Sequence, residues 1–350
     1  MKYIYFLIFL TGSSFIFGQS NTSSPYSIGG LGELAFKGNA INRHMGGLDI
    51  YSDSLHANLN NPASFGDLKL VTYSLGLNYK STQLSSNETN ETIASASLDY
   101  FIVAIPTKKF TFGFGILPAT SVGYRLQSVI QGDDINNVVN QNEGSGGLNQ
   151  TFFTVGFKVF RFLNFGVSAN YNFGKIKNES SRQEQKIDYG SFYNKTSSLV
   201  GFNYRFATQL KIPLKDKIRL DAMAFYVPSN SLTSSNESVF FTRSITTENL
   251  GDFENVDLEA FNLKETKISL GNQFSFGLGI SKEKKWLIGG QYTVRNSGGY
   301  VNNFISLDNI TYANGNRLSL GGFYLPDYSS FTSYWKRIVY RAGFRSEDTG

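Results

Sequence analysis

Six arginines, Arg205, Arg295, Arg317, Arg337, Arg341 and Arg345, fall on one parity of segments that alternate apolar and polar residues. Asp99 and Asp221 share that side. Guanidinium groups facing a narrow interior have two uses. They pair with carboxylates and brace the walls, or they receive an acidic head group, which the planar fork fits well. The residues alone leave both open. Leu117, Met223 and Phe225 lie on the same parity and would add apolar contacts beside such a head group.

Other chemistry is thin. Residues 30–35, GLGELA, match G-x-G-x-x-A, but a dinucleotide site needs a buried strand before it and a βαβ unit around it. The preceding PYSI is short and polar, so the better reading is flexible backbone in a plug. His44 and His56 are the only histidines, in a segment without helical period, and do not suggest a metal pair. With 0 Cys there is no thiol catalysis, disulfide or thiolate metal site. No Ser sits in a nucleophile elbow. No catalytic, cofactor or metal site is therefore assigned, and no cofactor is expected. The net charge of +5 is scattered without a basic stripe, which disfavours nucleic acid.

What would position the inward side chains is a sheet. Residues 267–280, KISLGNQFSFGLGI, put Ile268, Leu270, Phe274, Phe276, Leu278 and Ile280 on one face and only small or polar side chains on the other. Successive strand side chains point to opposite faces, so such a strand is greasy on one side only. The same period runs through 68–80, 93–105 (with Ala94, Ala96, Leu98, Tyr100, Ile102 and Ala104 on the apolar face), 110–124, 150–160, 164–174, 197–212, 218–228, 285–296, 316–325 and 335–345. Short connections alternate with the long polar segments 81–92, 125–149, 175–196, 229–266 and 297–315. Short turns at one end and long loops at the other predict an all-β chain, a transmembrane antiparallel up-and-down β-barrel. Aromatics at 15% and charged residues at 17% agree with that class.

Residues 1–18 read as a signal peptide cleaved near Gly18, so the chain is exported, and the barrel pattern then points to the cell outer membrane of a Gram-negative bacterium. Residues 19–66 then form an N-terminal hatch and 67–350 the barrel. Eleven visible strands are an odd count, and bacterial barrels have even ones. About three further strands are therefore expected beyond Gly350. The 110–124 segment is unusual, with Gly113, Gly115, Pro118 and Gly123. Either Pro118 ends the strand near the membrane surface, or it breaks the strand and opens the wall sideways.

The stretch LNNPASFGDLK, 59–69, divides the Gly-rich segment from the first alternating one. Pro62 holds Asn61 extended or in a turn, and Asn holds turns through its side chain. A Gly-rich hatch, then Asn61, Pro62 and Ala63, then the first strand resembles the FadL/PorV-like family of outer-membrane barrels. The resemblance implies fourteen strands in all, a hatch closed by the Asn-Pro-Ala joint, and a kinked third strand that opens a lateral gate, here at Pro118. It implies passive uptake of long-chain fatty acids or other hydrophobic small molecules, with outer-membrane lipid as surroundings. Its PorV-like members imply the alternative, an interaction or shuttle protein with type IX secretion components as partners. No enzymatic activity is expected.

Overall fold

The computed structural model describes residues 24–28, 30–85, 90–131, 137–297, 303–305 and 312–349. The signal-peptide segment and Gly18 lie outside them. The chain folds as an antiparallel up-and-down β-barrel wall with a non-wall segment packed on its inward face. That inner segment holds β1 (Glu33–Leu34), helix α1 (Ala40–His44) and a 3-10 turn, Pro62–Asp67. The wall follows as β2 (Thr72–Ser85), β3 (Asn90–Pro106), β4 (Phe110–Ile130), β5 (Val138–Phe160), β6 (Leu163–Glu184), β7 (Tyr189–Pro213), β8 (Ile218–Val227) and β9 (Asn230–Ser244). It continues through β10 (Leu250–Asn255), β11 (Glu265–Leu270), β12 (Gln273–Lys282), β13 (Trp286–Arg295), β14 (Gly315–Tyr324) and β15 (Tyr340–Asp348). The main path runs β15-β14-β13-β12-β8-β7-β6-β5-β4-β3-β2.

Alternation decides which face meets lipid. In β12 Phe274, Phe276, Leu278 and Ile280 are exposed, while Ser275, Gly277, Gly279 and Ser281 are buried inside. The outward rings also pack on each other across strands, as Phe110 on Phe157 with centroids 5.5 Å apart. Such cross-strand pairs stabilise a sheet face.

Three expectations need correction. First, residues 267–280 are two strands. β11 pairs β9 and β12 pairs β8, with the break at Gly271 and Asn272 beside the break at Pro228 and Ser229. The face rotates there, so Ile268 turns inward and is fully buried. Pro228 cannot donate to the ladder, which is why a break is tolerated at that position. Second, the apolar face of β3 changes side. Gly76 pairs Tyr100 and Leu77 pairs Leu98, leaving Asp99 as the extra residue of a bulge. Leu98 faces out, but Tyr100, Ile102 and Ala104 face in and are buried. Third, much of the long "loops" is strand. β5, β6 and β7 run for 23, 22 and 25 residues, and β9 and β10 occupy most of 229–255. These extensions are rich in Asn, Ser and Gln on both faces. Above the hydrocarbon there is no lipid to select an apolar face, so the period of two disappears although the ladder continues. At the other end, 334–337 is a 3-10 turn and the last strand begins at Tyr340 rather than 335.

The inner segment is held by packing and by charge. Met45, Leu48, Ile50 and Ala63 pack on Ala207, Met223, Phe225 and Leu287 of the wall. Phe65 and Leu68 pack with Tyr100, Ile102, Ala104, Leu117 and Phe152. Asp67 bridges Lys211 at 2.6 Å and Lys158 at 3.0 Å. Burial works against its charge, but Lys211, Asn164 and Lys158 outweigh it and hold the carboxyl well below the usual range. A carboxylate with a lowered pKa contributes stability above its unfolded value of about 4, lost as pH falls below that. Asp67→Asn is therefore expected to loosen the hatch by about 3 kcal/mol at neutral pH, since a buried Lys211 loses its partner. It should also flatten the acid dependence. Limited proteolysis of the hatch between pH 7 and 3 measures both, and an unchanged acid profile in the variant would contradict the clamp.

Candidate functional site

The Asn-Pro-Ala joint is a docked turn. Asn61 is fully buried. Its Oδ1 accepts from the Ala63 amide at 3.1 Å, and its Nδ2 donates to the Asp49 carbonyl at 3.0 Å and Gln209 Oε1 at 3.2 Å. Gln209 Nε2 returns to the Ile50 carbonyl at 2.7 Å. Pro62, without an amide hydrogen, stands at the first turn of the 3-10 element, where none is needed. The wall makes room with Gly166 and Gly156: a Cβ on either would meet the Pro62 carbonyl, and one on Gly113 would meet the Phe65 ring.

The wall parts beside Pro118. β3 and β4 pair only from Pro106 opposite Thr111 to Phe101 opposite Ile116. Beyond that β4 stays on β5 up to Ile130, with a register shift between Pro118 and Thr120, while β3 stays on β2 back to Asn90. From Leu117 to Gly123 every residue of β4 is buried, so the strand leaves the lipid face and bends inward. Gly113 and Gly115 lie below this departure, Gly123 above it.

The vacated edge of β4 is taken by the hatch. Leu34 pairs Thr120 and Glu33 pairs Ser121. The Ala35 amide donates to the Ala119 carbonyl at 3.1 Å, and the Ser24 amide to the Gly123 carbonyl at 2.9 Å. Within residues 30–35, read above as flexible backbone, Glu33 and Leu34 form the short strand on that edge of β4. Glu33 reaches Lys80 on β2 at 3.6 Å. On the β3 side Arg43 of α1 grips the bulged Asp99, with contacts of 2.6 and 2.7 Å.

Above the hatch lies a cavity of about 800 Å³. One part is apolar, with Leu31, Ala119, Leu148, Val227, Leu232 and Leu270. It adjoins a buried cluster of Val122, Ile176, Leu199, Ile268 and Leu258. The other part is cationic, with Lys37, Arg205, Arg295, Arg317 and Arg345. Arg205 donates to the Asn60 carbonyl at 3.0 Å and Asn60 Oδ1 at 2.7 Å, and its guanidinium lies over the Phe225 ring at 4.8 Å. Arg317 reaches Asp49 at 3.2 Å, and Arg345 bonds Glu347. Lys37 donates to Gln150 Oε1 at 3.1 Å. Burial, with Arg205 and Arg295 beside it, lowers the Lys37 ammonium to about 7.

Of the residues named from sequence, Arg205, Arg295, Arg317 and Arg345 line this cavity, and the others lie elsewhere. Leu117, Met223 and Phe225 face inward but are covered by the hatch. Arg337 is exposed in the 3-10 turn over the Tyr334 ring at 5.9 Å. Arg341 is half-buried and away from the cavity lining. Lys37 was out of reach of parity because it lies in irregular backbone. Leu270 was assigned to lipid because the break at Gly271 hid the rotation of the face.

The molecule is thus a β-barrel wall with an inner hatch, a lateral parting and an amphipathic cavity. The BamG family model matches residues 1–350, and the chain belongs to the BamG family. No curated protein matches the sequence. Solved structures that share the fold include two toluene transporters. The P. putida toluene transporter TodX is 14% identical with a TM-score of 0.55, over 89% of this chain and 84% of that one. The Ralstonia pickettii toluene transporter TbuX is 12% identical with a TM-score of 0.52, over 89% of this chain and 87% of that one.

Proposed function

We propose that the chain is an outer-membrane channel for passive uptake of hydrophobic small molecules, long-chain fatty acids among them. Ligand enters from outside, rests in the cavity above the hatch and leaves sideways between β3 and β4. The observation that carries this reading is the parting of those strands beyond Ile116, with only a short hatch strand in the gap. The resemblance to FadL/PorV-like barrels and the transport role of TodX and TbuX support it. In this reading residues 1–18 are an export signal cleaved near Gly18, and Asn61, Pro62 and Ala63 are the fixed joint of the hatch. Uptake of labelled palmitate and of toluene in cells with and without the gene tests it. Pro118→Val restores an amide to the ladder and is expected to slow uptake while the barrel still assembles. Equal uptake of every hydrophobic compound with and without the gene would sink the reading.

A second reading, an interaction protein of a secretion machine, has its own support. The tall sheet above the membrane exposes Ile245, Leu250, Phe253 and Phe261. Exposed apolar groups set among charged residues suit a protein partner. Purification from native membranes separates the two: stoichiometric secretion components favour this second reading.

A further inference from the structure

Among the described residues the charge of the cavity is out of balance. Four arginines, Arg205, Arg295, Arg317 and Arg345, and the Lys37 amine meet Glu347 in the lining and Asp49 beneath it. The remaining lining carboxylate, Glu33, turns to Lys80. Arg205 is more than nine-tenths buried, yet among the described residues its donors reach only the neutral oxygens of Asn60, and its Nε has no partner there. Arg295 has Glu347 only at 4.0 Å, and Glu347 is already shared with Arg345. A buried guanidinium such as Arg205 is costly in this state unless an anion joins it, and the half-buried Arg295 less so. A single carboxylate would offset one of them. A phosphate monoester carries about −1.5 to −2 charges at pH 7 and offers three acceptor oxygens, which matches several guanidinium forks in one lining more closely. Asn203, Asn172 and Gln273 stand in the same lining as neutral donors. The apolar part of the cavity, Leu31, Leu148 and Leu232 among it, adjoins the cations without an intervening wall.

We propose that this cavity binds a single-chain anionic amphiphile through a phosphate head group, with Arg205, Arg295 and Lys37 on the phosphate and the acyl chain against Leu148 and Leu232. The assignment rests on the channel reading above and names its ligand class. The volume, about 800 Å³, lies within the range of about 300–1,000 Å³ usual for small-ligand sites and suits one chain. Doubly charged head groups explain why the cations outnumber what a fatty acid needs.

The test is calorimetric titration of the purified full chain in a non-ionic detergent. The probes are palmitoyl lysophosphatidate, palmitate, monopalmitoylglycerol and inorganic phosphate. Lysophosphatidate is expected to bind about tenfold more tightly than palmitate, the worth of one or two charge-assisted hydrogen bonds. Palmitate should bind more tightly than the neutral ester, and phosphate alone weakly. Arg295→Gln with Lys37→Met leaves the bonds of Arg205 to Asn60 intact. That variant should bring lysophosphatidate down to the affinity of palmitate while the neutral ester is unchanged. Equal affinity for lysophosphatidate and palmitate in the wild type overturns the phosphate assignment and leaves the channel reading standing. Phosphate alone binding as tightly as lysophosphatidate overturns the amphiphile. Absence of binding by every acyl compound overturns the amphiphile assignment and removes fatty acids from the channel reading.

Discussion

Oxidised Leu34→Cys/Thr120→Cys protein is expected to take up no hydrophobic ligand, and the reduced form to regain uptake. Leu34 and Thr120 are opposed residues of the β1–β4 pair. Opposed residues of an antiparallel pair have Cβ atoms about 4.5–5.5 Å apart, and a disulfide needs about 3.5–4.5 Å, a difference a small backbone shift closes. The chain has 0 Cys, so the engineered bridge has no competitor. The physical basis is the weakness of what holds β1. Two register pairs and the Ala35 and Ser24 amide bonds attach this segment to β4, at a net of about 0.5–1.5 kcal/mol per hydrogen bond. A strand held by so few bonds is expected to leave and return; a covalently bridged one is not. Each single-cysteine variant should behave as wild type under oxidant. Full uptake by quantitatively bridged protein would show that ligand does not pass where β1 sits.

Gly166→Leu is expected to undock the hatch while leaving the barrel assembled. The new Cβ would run into the carbonyl of Pro62 and the amide of Ala63. Both are backbone, in a turn pinned by the Asn61 side chain to Asp49 and Gln209, so no rotamer change relieves the clash. Overpacking typically costs about 1–3 kcal/mol, and the loss of contacts along Ala63 and Phe65 adds to it. Gly290→Ala is the control: its Cβ meets the end of the Leu320 side chain at 3.0 Å, a group free to move. Heat-modifiable migration should show a folded barrel in both variants. Rapid protease cleavage between residues 40 and 70 should appear in Gly166→Leu alone. A hatch as resistant as wild type would mean that the turn does not need this seat.

The period of two carried the membrane-spanning wall, because a lipid face and an interior face impose opposite preferences on alternate residues. It placed β12, β8 and most of β4 to β7 correctly in parity. The strand that carries Gly113, Gly115, Pro118 and Gly123 shifts register between Pro118 and Thr120. Where lipid ends the signal ends too, so β9, β10 and the upper halves of β5 to β7 read as loops.

What the sequence by itself determined is therefore local: which residues alternate, where a proline forbids a ladder bond, where charge is missing from one face. The tertiary structure decided what those features meet. The bulge at Asp99 and the paired breaks at Pro228 and Gly271 rotate whole faces by one residue, and such a rotation depends on the neighbouring strand rather than on composition. Only the folded chain brings Lys37 of the hatch to Arg205 and Arg295 of the wall, and lays Leu34 on Thr120. Contacts between residues so far apart in sequence arise from the closure of loops and the register of strands, and no local pattern encodes them.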